Sequence, residues 1–203
     1  MIVESLRPER YAEATGVLVR AFERDPMYQY VCWDPVRRLA QMTWMLDRNL
    51  RLIASFGASH ITRGGEGVAL WLPPEACGRI RPWDAVRAGW LAAPFRLGTR
   101  SSCRAWRVVA DILRRQRVEI TRPHWVLDIL GVDPVHQGRG IAKALLQHVF
   151  ACADRDGTPC HVLTHNPQNI AFYQRYEFSV VSRDMVCEGG PFVCSLRRDS
   201  LRF

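Results

Sequence analysis

The chain lacks any apolar stretch long enough to cross a bilayer; none of its 203 residues sits in an uninterrupted run near the roughly 20 that a span needs. It has no C-x-x-C pair. Its cysteines, at 32, 77, 103, 152, 160, 187 and 194, are odd in number. That argues against a disulfide framework or a zinc site, and for a reducing compartment in which thiols serve as small apolar groups. No metal site is expected. The opening residues, MIVESLRPER, lack the charged-then-apolar order of a secretion signal, so a cytoplasmic location is expected. Internal repeats and low-complexity tracts are absent. A packed basic tract is absent too: the net charge is +8, but the arginines are spread along the chain. Such a spread fits solvated helix faces, or an attraction for anionic ligands, nucleic acid included. With 48% apolar residues the chain can bury one core, so residues 1–203 read as a single domain with an insertion.

What is present centres on Gly131–Phe150. An apolar run, Trp125–Val132, leads into a glycine-bearing turn, Gln137-Gly138-Arg139-Gly140-Ile141-Ala142. A helical pattern follows, with Ile141, Leu145, Val149 and Ala153 at four-residue spacing. Strand, glycine turn and helix together make a phosphate-binding arrangement. The first helical turn has N–H groups without internal partners, and the helix dipole makes that end positive. Gly138 and Gly140 carry no Cβ, so an anion can approach the backbone, and Arg139 and Lys143 add positive charge. The spacing matches neither the dinucleotide fingerprint nor the nucleotide-triphosphate loop.

Along the chain, Ile2–Leu6 reads as a first strand and Tyr11–Phe22 as a helix that Asp25-Pro26 breaks. Asp34-Pro35 reads as the cap of a long helix to about Ser55, with Leu39, Met42, Met45, Leu46, Leu50 and Ile53 buried. Ala58–Ile61 and Gly67–Leu72 read as strands joined through Arg63–Glu66. Residues 75–120 read as a helical insertion, rich in arginine and tryptophan. Two stripes, Trp83/Val86/Trp90 and Trp106/Val109/Leu113, mark amphipathic helices divided by Pro94 and Gly98–Ser102. The insertion either packs on the domain or walls a pocket with aromatic surface. His124–Val132 reads as the central strand, apolar on both faces except at Asp128, which by alternation shares a face with Leu130 and Val132. Cys160–Thr164 is a strand, Asn166-Pro167 starts a helix, and Phe178–Arg183 is a strand. Met185–Cys187 and Phe192–Leu196 form a final pair. The tail, 197–203, is basic.

Gln137-x-x-Gly140-x-Ala142 resembles motif A of the GCN5-related N-acetyltransferases (GNAT), where this turn holds the pyrophosphate of acetyl-coenzyme A. Asn166, then six residues, Tyr173, and later Phe178 are similar to motif B of the same family. Runs such as Leu-Asp-x-Leu-Gly-Val-Asp-Pro-x-His-Gln-Gly-Arg-Gly, Asn-Pro-x-Asn-x-x-Phe-Tyr and Glu-Gly-Gly-Pro resemble the puromycin N-acetyltransferase-type branch over roughly residues 122–196.

The resemblance implies an α/β (α+β) GNAT fold. Its mixed, mostly antiparallel sheet is splayed into a V and flanked by helices, and acetyl-CoA wedges where the central and following strands part. It implies acetyl transfer to a primary amine of a small molecule by direct attack. With no nucleic-acid recognition motif and no membrane-length run, neither partner is expected, and the chain reads as a monomer or homodimer. It assigns the cofactor to Leu130, Gly131, Val132, Gln137, Gly138, Arg139, Gly140, Ile141, Ala142, Lys143 and Asn166, and proton return to the thiolate to Tyr173. A base must deprotonate the amine. Asp128 is the first choice, ahead of His165 and His124. Three positions depart from the pattern: Leu163 replaces a common carboxylate, Glu177 stands where glycine tolerates a left-handed helix end, and Asp128 is shorter than the usual Glu. Two rivals remain: a non-enzymatic acyl-CoA sensor or inactive relative, and a basic nucleic-acid-binding module built on the arginines of 79–122.

Overall fold

The computed structural model describes residues 1–78 and 80–200; the reading of Arg79 and of the tail beyond Ser200 lies outside the described residues. Seven strands form one sheet: β1 (Val3–Ser5), β2 (His60–Thr62), β3 (Gly67–Leu72), β4 (Trp125–Val132), β5 (Cys160–Thr164), β6 (Ser179–Met185) and β7 (Phe192–Arg198), in the order β1-β2-β3-β4-β5-β7-β6. Only β4 and β5 run parallel. The sequence splits the last ladder differently. Of the expected Met185–Cys187 strand only Met185 is strand, as the end of β6, which pairs from Ser179 to Met185 along β7; Val186 and Cys187 lie beyond it.

Helices cover both faces. On one lie α1 (Tyr11–Phe22), α2 (Pro26–Val31), α3 (Arg38–Ala54) and α6 (Thr99–Glu119), around a core containing Leu18, Met42, Leu46, Leu50, Val68, Leu70 and Ile129. On the other lie α7 (Ile141–Arg155) and α8 (Gln168–Gln174), around Ala69, Trp71, Leu127, Leu145, Val149 and Tyr173. Alternation along β3 explains the split: Val68 and Leu70 serve one core, Ala69 and Trp71 the other.

The insertion holds α4 (Pro82–Arg87), α5 (Ala93–Leu97) and α6 rather than two helices, and Pro94 opens α5. α1 ends at Phe22, ahead of Asp25-Pro26 as expected, and the pair does more than break it. Asp25 caps α2, accepting from the N–H groups of Met27 and Tyr28, with Pro26 at the first position. Asp34 does cap a turn, accepting from Val36 N at 3.0 Å, but α3 begins only at Arg38, which leaves Leu39 60% exposed.

Candidate active site

β4 carries the two features that make the site. The first is a bulge. Leu70 of β3 faces Ile129 and Trp71 faces Leu127, so Asp128 is an extra residue without an opposite number. The extra residue reverses the alternation. Val126 and Ile129 both serve the core under α1 and α3, whereas Leu130 and Val132 pack on the other. Asp128 therefore does not share a face with Leu130 and Val132, as strict alternation predicts. It turns to α3, where Asn49 Nδ2 donates to its Oδ2 at 2.7 Å.

The second feature is a parting of strands. β4 and β5 pair from Trp125↔Cys160 to Leu127↔Val162 and no further. Beyond that point β5 continues with β7, and the β5-side edge of Ile129–Val132 is left without a strand partner. Gly131 has a packing reason of its own: a Cβ there would stand 2.7 Å from Leu18 Cδ2, so glycine lets α1 lie close on the strand.

At the end of this free edge comes the glycine turn. Gln137 Nε2 donates to the Val132 carbonyl at 3.1 Å, tying the turn to the strand. Gly138 and Gly140 sit at φ +76° and +79°, the left-handed region, and a Cβ on either would meet nothing within 4 Å. Gly138, Arg139 and Gly140 are exposed, and α7 begins at Ile141 with no side-chain cap on its first N–H groups. Ile141 is buried in the core, so its contribution to the turn is its main chain; Ala142 is half-buried. No ion pair engages Arg139 or Lys143 among the described residues, and Lys143 is the only lysine of the chain.

Where the strands part, a cleft of about 810 Å³, counting its open mouth, runs between the sheet, α2, α3, α6 and α8. Asp128 and Tyr173 both line it, with Asp25, Tyr28, Asn49, Leu130 and His165. Leu163, where the family motif commonly has a carboxylate, lines it too. His124 does not; it packs beside His161 and bonds to the Arg122 carbonyl, remote from these groups. Asn166 stands at the foot of α8, its Oδ1 accepting from Gln168 N at 3.0 Å.

The insertion walls the cleft through Ile112 and Gln116 of α6; none of its tryptophans takes part. The aromatic wall is Phe22, Tyr28 and Tyr173 instead. Asp25 is the residue that sequence reasoning passed over. Its signal was present, since Asp-Pro at a helix start is the same pattern read at Asp34.

Burial sets the electrostatics. The Asp128 carboxyl, enclosed by the cleft walls although the residue keeps some exposure, is pushed up to about 6 by desolvation, which the Asn49 hydrogen bond opposes. Burial raises Asp25 as well. Tyr173 is 6% exposed and titrates well above an ordinary phenol, first from desolvation and then from the field of Asp25. Tyr28 is raised by burial and by the fields of both Asp25 and Asp128. His165 is pushed down to about 4 by burial, so its imidazole is neutral at pH 7. Among the described residues no lysine or arginine lines the cleft.

Residues 105–180 match the family model of the acetyltransferase (GNAT) domain. That stretch is similar to a GNAT acetyltransferase domain. An uncharacterised N-acetyltransferase of Schizosaccharomyces pombe is 23% identical over 190 residues, covering 88% of this chain and 74% of that protein. Among solved structures, a histone acetyltransferase HPA2-related acetyltransferase of Corynebacterium glutamicum has a TM-score of 0.67 at 20% identity, covering 98% of this chain and 96% of that one. A Drosophila melanogaster polyamine N-acetyltransferase, which forms N-acetylagmatine, has 0.60 at 16% identity, covering 98% and 99%. Arylalkylamine N-acetyltransferase 2 of Aedes aegypti has 0.57 at 14%, covering 98% of both chains. These likenesses establish the GNAT fold: a seven-stranded, mostly antiparallel sheet between helices.

Proposed function

We propose that the chain transfers an acetyl group from acetyl-CoA to the primary amine of a small cationic molecule by direct attack. One observation carries this reading: the strand-free edge of Leu130–Val132 joins an open, uncapped helix start to a cleft that contains a buried phenol and a carboxylate. The turn suits a diphosphate, since Gly138 and Gly140 border open space at an uncapped helix start, with Arg139 and Lys143 beside them. The edge of Leu130–Val132 suits an amide-bearing arm, which would take the place of a strand. Acetyl-CoA supplies the activated acyl thioester.

The rest of the chemistry falls to the chain. Asp25 and Asp128, with no lysine or arginine lining the cleft among the described residues, favour a positively charged acceptor. An ammonium must lose a proton before its nitrogen can attack, and Asp128, titrating at about 6, is ionised at pH 7 and able to take it. As the C–N bond forms and the C–S bond breaks, Tyr173, protonated across the working range, gives its proton to the thiolate. The amine acetyltransferases of Drosophila and Aedes share the fold and support the class of acceptor. The resemblance of the motifs around 122–196 to the puromycin N-acetyltransferase-type branch supports a small-molecule amine as acceptor.

The test is thiol release from acetyl-CoA with a panel of primary amines. Tyr173→Phe is expected to lower turnover about 100-fold while leaving acetyl-CoA binding nearly intact. Undiminished turnover in that variant removes Tyr173 from the mechanism. Binding of acetyl-CoA without any thiol release identifies a sensor instead. Salt-dependent nucleic-acid binding would favour the third reading.

A further inference from the structure

Asn49 lies in the interior of α3, where asparagine is less favourable than alanine. Its neighbours Met45, Leu46, Leu50 and Ile53 are buried, so the helix backbone is fixed against the core. Asn49 itself is half-buried and faces the cleft, and its amide donates to Asp128 Oδ2 at 2.7 Å. The amide must present its nitrogen here, because its oxygen against a carboxylate would be repulsive. No other hydrogen bond reaches the Asp128 carboxylate among the described residues.

We infer that Asn49 is a positioning residue: it holds the Asp128 carboxylate on the bulge, in its ionised form, with the second oxygen left free for the acceptor amine. The inference rests on the reading of Asp128 as proton acceptor. The geometry requires a contribution of this kind. A bulge residue has no cross-strand partner to orient it, and the strand edge beside it is open. The titratable groups that share the cleft are Asp25 before α2, Tyr28 of α2, His165 after β5 and Tyr173 of α8. Asp25 works against a second negative charge; the two phenols and the neutral imidazole bring no positive one. α6 contributes only the uncharged Ile112 and Gln116. Asn49 is then the one fixed donor that favours the carboxylate over the carboxylic acid before substrate arrives.

The experiment is the pH profile of kcat/KM from 5 to 9, read as thiol release from acetyl-CoA with putrescine, agmatine and tyramine as probes. The proteins are wild type, Asn49→Leu, Asn49→Asp and Asp128→Asn. Asn49→Leu keeps the volume and removes the donor. Its acidic limb is expected to move up by about one to two pH units, the worth of a hydrogen bond to a charged group, with activity recovering towards wild type at pH 9. The KM for acetyl-CoA is expected to stay put. Asn49→Asp is expected to move the limb further, because two adjacent carboxylates share a proton. A limb that does not move, or activity lowered equally at every pH, overturns the inference and leaves Asp128 in place. Full activity in Asp128→Asn instead removes the proton-acceptor reading, and the inference with it. Should none of the three amines turn over, ¹³C NMR titration of the Asp128 carboxyl in wild type and Asn49→Leu decides: an unmoved titration overturns the inference.

Discussion

Glu177 is the only described residue other than glycine with positive φ, at +66°. It ends α8, at the position where the family motif has glycine, and the expected strain is present. The turn is closed as such ends usually are, with Glu177 N donating to the Gln174 carbonyl at 3.1 Å and Phe178 N to the Tyr173 carbonyl at 3.3 Å. A β-carbon in this region costs about 1–2 kcal/mol. The carboxylate 3.6 Å from Arg198 returns little, since its side chain is 59% exposed. Glu177→Gly is therefore expected to stabilise the protein by about 1 kcal/mol, after glycine's larger entropy loss on folding. The midpoint of urea unfolding reads this directly, and an unchanged or lower midpoint contradicts it. The change sits four residues from Tyr173, so it also tests whether the strained turn matters to the cleft: equal turnover in the two proteins would make it a matter of stability alone.

Among the elements, α6 is built inside out. Its Trp106, Val109 and Leu113 have the spacing of a buried stripe, and sequence reading takes them as such. They are 70%, 41% and 40% exposed. The buried face is Ser101, Ala105, Val108, Asp111 and Arg115. Periodicity found a helix here but took the wrong side of it, because the deciding contacts are made across the fold. Arg115 donates to Asp111 (2.7 Å), Glu119 (3.4 Å), Ser182 (3.0 Å) and Asp184 (3.3 Å), joining α6 to β6. A guanidinium with this many acceptors can be buried; a distant strand supplies half of them. Arg115→Met is expected to cost about 3 kcal/mol, since Asp111 and Glu119 stay buried with fewer donors. Trp106→Gln is expected to change stability by less than about 0.5 kcal/mol. Denaturant midpoints of the two variants check the pair, and the reverse order would return the tryptophan to the core. The same limit explains the other elements. α1 and α7 were legible because their apolar periodicity is local, and the Gly138–Gly140 turn because its chemistry is. The bulge at Asp128 depends on the register of β3, and the Asn49 contact joins residues 79 apart.

For the molecule as a whole, the buried titratable groups make stability depend on pH. His60 and His165 are both pushed from 6.5 to about 4, desolvation being the larger cause in each. A folded-state pKa below the unfolded one means that the unfolded chain binds more protons, so this stability is present above about 6.5 and lost as pH falls towards 4. Asp128 acts in the opposite sense. Raised from 3.8 to about 6, it contributes stability below about 4 that is lost as pH rises through 6. Between pH 7 and 4.5 the two histidines outweigh the one carboxyl, and a net loss of about 3 kcal/mol is expected. Urea unfolding at the two pH values measures it. In the double variant His60→Gln, His165→Gln the loss is expected to vanish, with Asp128 left to dominate; a loss as large as wild type's would place its origin elsewhere. None of these environments could be read along the chain, whereas the positions of the glycine turn and of Tyr173 could.

The parting of β4 and β5 bears on how the protein keeps in solution. Main-chain pairing is indifferent to side chains, so a rim without a strand partner can pair with an extended chain that reaches it. A loose terminus, a neighbouring copy or a contaminating peptide can lodge there as readily as a cognate ligand. On the proposed reading, selectivity comes from the two ends of the gap, an anion at the glycine turn and a cation in the cleft. A stored sample is therefore expected to clump less when a molecule fills the gap, which light scattering with and without coenzyme A measures.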